Sequence, residues 1–304
     1  MRAPARHSLS RLLVGMTSGG PHHLGRHDAL GDEMKRFEDA TCAALVKLSD
    51  AVVLRLDGRC FSTYTRGFDR PYDMRIHESM VSTAADCVEH FSAATAYTQS
   101  DEISLIFAPH TEVGPSTVPF NGRVQKLVSV AAGYASARFN MHMMRHQFDP
   151  ARAEQAMLRE RVERCEAHFD ARVFALPPAE LVAYMRWRSV MDCKRNSISM
   201  LAQAHFPHSQ LQGVDAESCV RMLAERKGVR WEDTPSFFRH GTFVKKEDFE
   251  KAAFNPKTQE HTTALRTRLG ARSFEFDARG REEETVEWLI ARRWPVVAGP
   301  DQPS

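Results

Sequence analysis

Ala51-Val-Val-Leu-Arg-Leu-Asp-Gly58 is the stretch on which the reading of this chain turns. It is rich in β-forming residues and ends at an acid followed by a glycine, as a strand running into a turn does. Downstream, from Met74 to Ala93, apolar residues recur at helical spacing, with Ile76, Met80, Ala84, Cys87, Val88 and Phe91 on one face. Asp73 stands at the N-cap position of that helix. Two short β-prone runs follow, Thr95 to Thr98 and Ile103 to Phe107, with Gln99-Ser-Asp-Glu102 as the hairpin turn between them. A Pro-, Gly- and Thr-rich loop from Pro109 to Gly122 precedes a second helix expected over Arg123 to Met144. After a charged helical insertion, Arg152 to Ala167, a last strand is expected over Ala171 to Leu176. The order β-α-β-β-α-β is the ferredoxin-like split unit, an α+β fold. Its first and third strands are antiparallel neighbours at the sheet centre. The end of the first then lies beside the start of the third, which brings Asp57 close to Asp101.

Further out the pattern is mostly helical. Upstream, Asp28 to Leu48 carries a helical pattern. Downstream, Pro178 to Phe206 reads as a long helical region interrupted by polar residues at Asp192 to Ser199. Asp215 to Lys227 reads as a helix, Ser236 to Lys246 as a hairpin strand and Thr285 to Arg293 as a terminal helix. Three regions result: an arm over 1–27 expected to be disordered, a catalytic core over 28–177, and a helical and hairpin region over 178–304 that packs on or extends the core. The arm has short apolar and basic stretches but neither the long apolar run nor the cleavage site of a secretory signal. It reads as a tail, or as sequence upstream of a true start at Met16 or Met34, with His22 and His23 as tail residues.

Hydrophobic residues make up 42% of the chain and charged residues 26%, which excludes wholesale disorder. Lys plus Arg number 41 against 39 acids, so any nucleic-acid partner must be met by a local patch rather than by net charge. No window approaches the ~18 consecutive apolar residues of a membrane span. The six cysteines form no C-x-x-C pair. That argues against a disulfide framework or a zinc-thiolate site and for a reducing, cytoplasmic setting.

Two acids at adjacent central strand ends suit divalent metal chemistry. Mg²⁺ takes hard oxygen ligands and shares its shell between one or two carboxylates and substrate phosphates. A pair of such ions clamps the attacking and leaving oxygens of a phosphoryl transfer. Asp57 and Asp101 fit the two carboxylates, with the Gly58 carbonyl assisting and Glu102, on the other face, supporting them. Taken singly, each acid reads as a turn residue; as a pair in this topology they read as metal ligands. Arg59-Cys-Phe-Ser62 follows directly, and backbone N–H groups in such a loop cradle phosphates. Arg66 and Arg70 add charge nearby.

Arg55-Leu-Asp-Gly-Arg59 with Phe61, Phe68-Asp-Arg-Pro-Tyr-Asp73, Gln99-Ser-Asp-Glu102, Phe169-Asp-Ala-Arg172, Trp187-Arg188 with Arg195-Asn-Ser197, and Arg239-His-Gly241 together resemble the tRNA(His) guanylyltransferase family. The resemblance runs from about Asp28 to about Lys246. It implies a polymerase-palm-type core and 3′–5′ nucleotide addition to the 5′ end of tRNA. ATP adenylylates the 5′-monophosphate, the 3′-OH of GTP attacks the activated phosphate, and pyrophosphate is then removed. It also implies two Mg²⁺ at Asp57 and Asp101 and a homotetramer or homodimer. Arg59, Cys60, Phe61, Ser62, Arg70, Asp73 and Ser100 would border the nucleotide triphosphate. Arg123, Lys126, Ser129, Arg172, Lys194, Arg195, Asn196 and Ser197 would meet the activating nucleotide or tRNA phosphate. Lys194-Arg-Asn-Ser-Ile-Ser199 replaces a longer His- and Asn-rich motif of the eukaryotic enzymes and resembles the guanylyltransferase-like branch, which prefers template-dependent repair of 5′-truncated tRNA. Cys60 and Ser62 likewise stand where the eukaryotic form often has Asn and His.

Arg186, Arg188, Lys194 and Arg195 gather around Trp187, a pattern that suits tRNA backbone contact and equally suits a solvated helix face. His142 and His146 have a metal-compatible spacing but no third ligand, and read as helix-surface residues. Two other classes compete with the nucleotidyltransferase: a nucleotidyl cyclase, which uses a similar sheet with a different acidic turn, and a non-catalytic RNA-binding module, which does not need both acids.

Overall fold

A computed structural model describes residues 29–111, 117–255 and 260–295. The N-terminal arm and part of the Pro109–Gly122 loop lie outside them. The chain divides into two units at Thr41 and Cys42. Helix α1 (Ala29–Cys42) makes up nearly all that is described of the first, with Leu30 and Phe37 exposed. It ends at Cys42, short of the helix expected to Leu48, because Leu45 instead bridges Arg123 in an extended backbone.

In the second unit β1 (Ala51–Arg59) enters a one-turn helix α2 (Phe61–Tyr64), and α3 (Met74–Phe91) follows. Asp73 caps α3, its carboxylate accepting from the Arg75 N–H at 2.9 Å. Next come β2 (Thr95–Gln99), β3 (Glu102–Phe107), α4 (Val124–Met144), α5 (Ala153–Glu163) and β4 (His168–Leu176). The β-α-β-β-α-β order is as read. β1 lies between β3 and β4, and its register sets Asp57 opposite both Glu102 and Asp170. Alternation puts Val52, Leu54 and Leu56 on one face, packed with Met80, Leu127 and Phe139 from α3 and α4. Val53 falls on the other face, and beyond it come Arg55 and Asp57.

That second face packs on α6 (Pro178–Met185), from which the chain runs through a π-helical turn over Arg186–Asp192 into α7 (Cys193–His205). The helical path is unbroken. The irregularity precedes the expected break at Asp192–Ser199, and it is a change of winding. Such π-turns recur at functional sites. Helices α8 (His208–Leu211), α9 (Ala216–Lys227) and α10 (Ser236–His240) pack with α7 in a smaller core around Leu201, Leu223 and Trp231.

Ser236 to Lys246 is not one strand. Its first half is α10, and β5 (Thr242–Asn255) starts beyond Gly241, whose φ of 72° gives the chain room to turn. β5 extends the sheet along β2 and forms a long hairpin with β6 (Glu260–Arg272), giving the order β4-β1-β3-β2-β5-β6. β6 has no counterpart in the sequence reading. The terminal helix α11 (Glu282–Ile290) is held by Lys245, whose buried ammonium donates to the Trp288 and Ala291 carbonyls at 2.7 and 2.5 Å and to Thr95 Oγ1 at 2.6 Å. Burial alone would push Lys245 down to about 7; the three oxygens favour its charged form. Among the described residues no helix is long and apolar enough to cross a membrane, and all six cysteines are unpaired.

Candidate active site

The acids meet where the sequence placed them. The Gly58 N–H donates to the Asp101 carbonyl at 2.9 Å, tying the end of β1 to the β2–β3 turn. Ser100, in that turn, takes a left-handed backbone with φ 51°, a strained conformation for a serine. Burial holds the Asp101 carboxyl above its ordinary range, and the charge of Asp57 adds to this against a hydrogen bond donated by the Ser100 hydroxyl. A like-charged pair of this kind is suited to a cation. Asp57 also has company on its own face. Arg55 Nη2 lies 3.4 Å and Arg172 Nη2 3.8 Å from its carboxylate, both long for ion pairs. Neither acid is fully engaged by strong donors, so oxygen lone pairs remain for a metal. Among the described residues no three or more His, Cys, Asp or Glu side chains gather to hold an ion. A cation here would complete its shell with carbonyl, phosphate and water oxygens, which fits Mg²⁺.

Glu102 has a different task. Its carboxylate meets the buried Arg188 guanidinium and accepts from Gln99 Nε2 at 3.1 Å. Arg188 Nη1 also donates to Asp192 Oδ2 at 2.7 Å, and Asp192 in turn pairs with Arg195. One buried arginine thus links β3, the strand after the Ser100–Asp101 turn, to the π-helical segment. Arg188 is therefore unavailable to tRNA. Around it Trp187 is exposed, and Lys194 lies over the Trp231 ring.

Beside the acids opens a cleft of about 370 Å³, bordered by Ser62, Arg70, Ser100, Asp101 and Asn196 among others. These were all read from the sequence. Phe61 and Asp73 also line it but are committed elsewhere. Phe61 packs on Phe139 and Phe169, with centroids 5.3 and 5.1 Å away. Its ring also explains Gly58, which lies in β1 rather than in a turn: a Cβ there would come within 2.4 Å of the Phe61 ring. Asp73 accepts from the Asp69 N–H and from Arg75, which outweighs the upward push of burial and lowers its pKa. Ser197 likewise is tied to the Lys194 carbonyl and to Trp231 Nε1. Arg59 and Cys60 are outside the cleft, with Cys60 exposed in a left-handed turn at φ 58°.

Arg123, Lys126 and Ser129 are not brought to the acids within this chain. Arg123 pairs with Leu45 at the far end of the sheet, where β1 begins. At ~1.5 Å per residue, roughly 20 Å of helix separates it from Ser136, whose hydroxyl meets the Phe169 N–H opposite Gly58. Ser129 bonds back to the Gln125 carbonyl. His142 is not a surface residue: it contacts Asp86 at 2.6 Å, beside Arg138. Tyr72, His77 and Phe237 also line the cleft; no local spacing marks them, since α3 and α10 meet only in three dimensions.

The model of the tRNA(His) guanylyltransferase family matches residues 31–177. An uncharacterised protein of Acanthamoeba polyphaga mimivirus is 34% identical over 229 residues, covering 73% of this chain and 78% of that protein. The chain belongs to the tRNA(His) guanylyltransferase family. As a member it is a nucleotidyltransferase acting on tRNA. Two solved structures of a bacterial tRNA(His) guanylyltransferase-like protein are similar to it. The one in complex with ATP has a TM-score of 0.67 and 28% identity, covering 86% of this chain and 99% of that one. The one in complex with GTP has a TM-score of 0.62 and 27% identity, with the same coverage. The family's α+β core is the one observed here, with β4, β1, β3 and β2 side by side in the sheet and β4 at its edge.

Proposed function

We propose that this protein extends tRNA at its 5′ end in the 3′–5′ direction, and that its main task is repair of 5′-truncated tRNA. The observation that carries this is the Asp57–Asp101 pair at joined strand ends, with Asp101 lining a cleft of nucleotide size, in a chain of this family. Activation joins the tRNA 5′-phosphate oxygen to the α-phosphorus of ATP and releases pyrophosphate. Extension joins the 3′-oxygen of the incoming nucleotide to the tRNA 5′-phosphorus and releases AMP, with the hydroxyl proton passing to solvent. Hydrolysis then removes pyrophosphate from the added nucleotide.

Asp57, Asp101 and the Gly58 carbonyl would hold two Mg²⁺, which supply charge neutralisation at the reacting phosphate. Arg70 and Ser62 flank the phosphates from the cleft wall, and Ser100 holds the Asp101 carboxylate in place. Exposed Arg195 and Lys194 offer charge to the tRNA backbone, so activity should weaken as salt rises. Asn196, a short polar side chain in the cleft, contacts sugar or phosphate without demanding one base, which leaves base choice to pairing with the opposite strand. The working form is a homotetramer or homodimer in the cytoplasm, so that Arg123, Lys126 and Ser129 can serve a tRNA held across subunits.

The test is addition to tRNA lacking its 5′-terminal nucleotide, with each template base opposite the gap. The complementary nucleotide should be added in each case, faster than guanosine is added to intact tRNA(His). Guanosine addition regardless of template would make the protein a dedicated guanylyltransferase. A cyclic product formed without RNA would indicate a cyclase, and no turnover a binding module. A second expectation concerns activation. Truncated tRNA with a 5′-monophosphate should require an activating purine triphosphate, ATP or GTP, whereas a 5′-triphosphate already carries a leaving group and should not. Equal dependence on the activating nucleotide for both would remove the activation step.

A further inference from the structure

The cleft is lined by two chemical kinds of side chain. Ser62, Ser100, Asp101 and Arg70 supply hydroxyls and charge. Ile76, Met80, Met200 and Phe237 supply apolar surface, the kind that holds a nucleobase. Most other polar side chains of the lining are already engaged. Gln203 Nε2 donates to Ser199 Oγ, Thr98 Oγ1 donates to the Glu102 carbonyl, and Ser197 is bound to Trp231.

His77 differs. Its ring lies flat on Phe237, with centroids 3.8 Å apart and planes 19° from parallel, and Phe237 is braced edge-on by Tyr72. The stack fixes the orientation of the imidazole. Among the described residues neither ring nitrogen has a hydrogen-bond partner. Burial lowers its pKa to about 4, so the ring is uncharged near neutral pH. A neutral imidazole carries one N–H donor and one acceptor nitrogen, and its two tautomers exchange them.

We propose that His77 meets the base edge of the activating nucleotide and accepts either purine by switching tautomer. Adenine presents an acceptor at N1, which an imidazole N–H satisfies. Guanine presents a donor at N1, which the unprotonated ring nitrogen satisfies. A side chain with one fixed role would favour one purine and reject the other, because the mismatched pair leaves a desolvated polar group without a partner. The inference rests on the reading of the cleft as the nucleotide site.

Calorimetric titration of the full chain with MgATP and MgGTP, without tRNA, tests it. Wild-type protein should bind the two within about 3-fold of each other, the spread of less than one ordinary hydrogen bond. His77→Leu, which still packs on Phe237, should weaken both by about 3- to 10-fold, the worth of one neutral hydrogen bond. His77→Asp, a fixed acceptor, should shift the ratio about 10-fold toward GTP, and His77→Lys, a fixed donor, by a similar factor toward ATP, as hydrogen bonds to charged groups do. A melting curve on each variant confirms folding, and either charged variant alone suffices if the other fails to fold. Unchanged binding in His77→Leu, or a wild-type purine ratio in the folded charged variants, overturns the proposal. Running tRNA extension in parallel separates the two readings. Purine binding with no extension would remove the 3′–5′ function while the ratios still decide His77, whereas no purine binding by wild-type protein would remove both.

Discussion

Asp57→Ala or Asp101→Ala is expected to lower nucleotide addition by about 10²-fold or more, the scale of losing a strong electrostatic stabiliser of a transition state. Removing either carboxylate takes away half of the acidic pair that the joined ends of β1 and the β2–β3 turn bring together. The fold should survive. Asp101 sits in a turn, where burial and the charge of Asp57 work against its ionised form. Asp101→Asn keeps its shape and relieves that repulsion, so its melting temperature should be no lower than that of wild type. Asp57 makes only long contacts with Arg55 and Arg172, which contribute little. Single-turnover extension rates set beside circular-dichroism melts check both halves. Wild-type turnover in a folded Asp57→Ala or Asp101→Ala variant would refute the assignment.

Legibility in the sequence followed regularity of backbone. β1 is a short β-rich run closed by an acid and a glycine and α3 carries a clean period of 3.6, so their extents agree within a residue or two, and the strand order sets Asp57 near Asp101. β6 has no counterpart in the sequence reading because Arg266, Arg268 and Arg272 leave no continuous apolar face along it, although its threonines favour a strand. The π-turn at Arg186–Asp192 leaves no trace in hydrophobic spacing, because one extra residue per turn changes hydrogen bonding more than composition. The roles of Phe61, Asp73 and Ser197 were legible only as proximity. All three do line the cleft, yet each spends its side chain on packing or capping. A motif shows that a residue belongs to the site without showing whether it meets the ligand or supports a neighbour that does.

Arg188 is the strongest instance of that distinction, and its replacement should have the largest effect on stability. By sequence it belongs to a basic patch around Trp187. In the structure its side chain is 3% exposed and joins Glu102 to Asp192. Arg188→Met would leave Glu102 and Asp192 in a largely dehydrated space without the cation they share, with Arg195 still meeting Asp192 from the exposed side. Breaking a buried pair in this way costs about 3–5 kcal/mol, equivalent to a fall of roughly 10 °C in melting temperature for a protein of this size. Adding Asp192→Leu removes one stranded charge and should recover part of the loss. Activity should not recover with it, because Arg188 positions Glu102, and Glu102 begins the strand that follows Asp101. Salt dependence separates this from tRNA contact. Each lost phosphate contact flattens the slope of log affinity against log salt by about 0.9. Arg195→Ala, on the exposed side of Asp192, should flatten it, whereas a folded Arg188→Met/Asp192→Leu protein should keep the wild-type slope at a reduced rate. A flattened slope in the double variant, with its melting temperature unchanged from wild type, would return Arg188 to the tRNA-binding surface and leave Glu102 without its positioning partner.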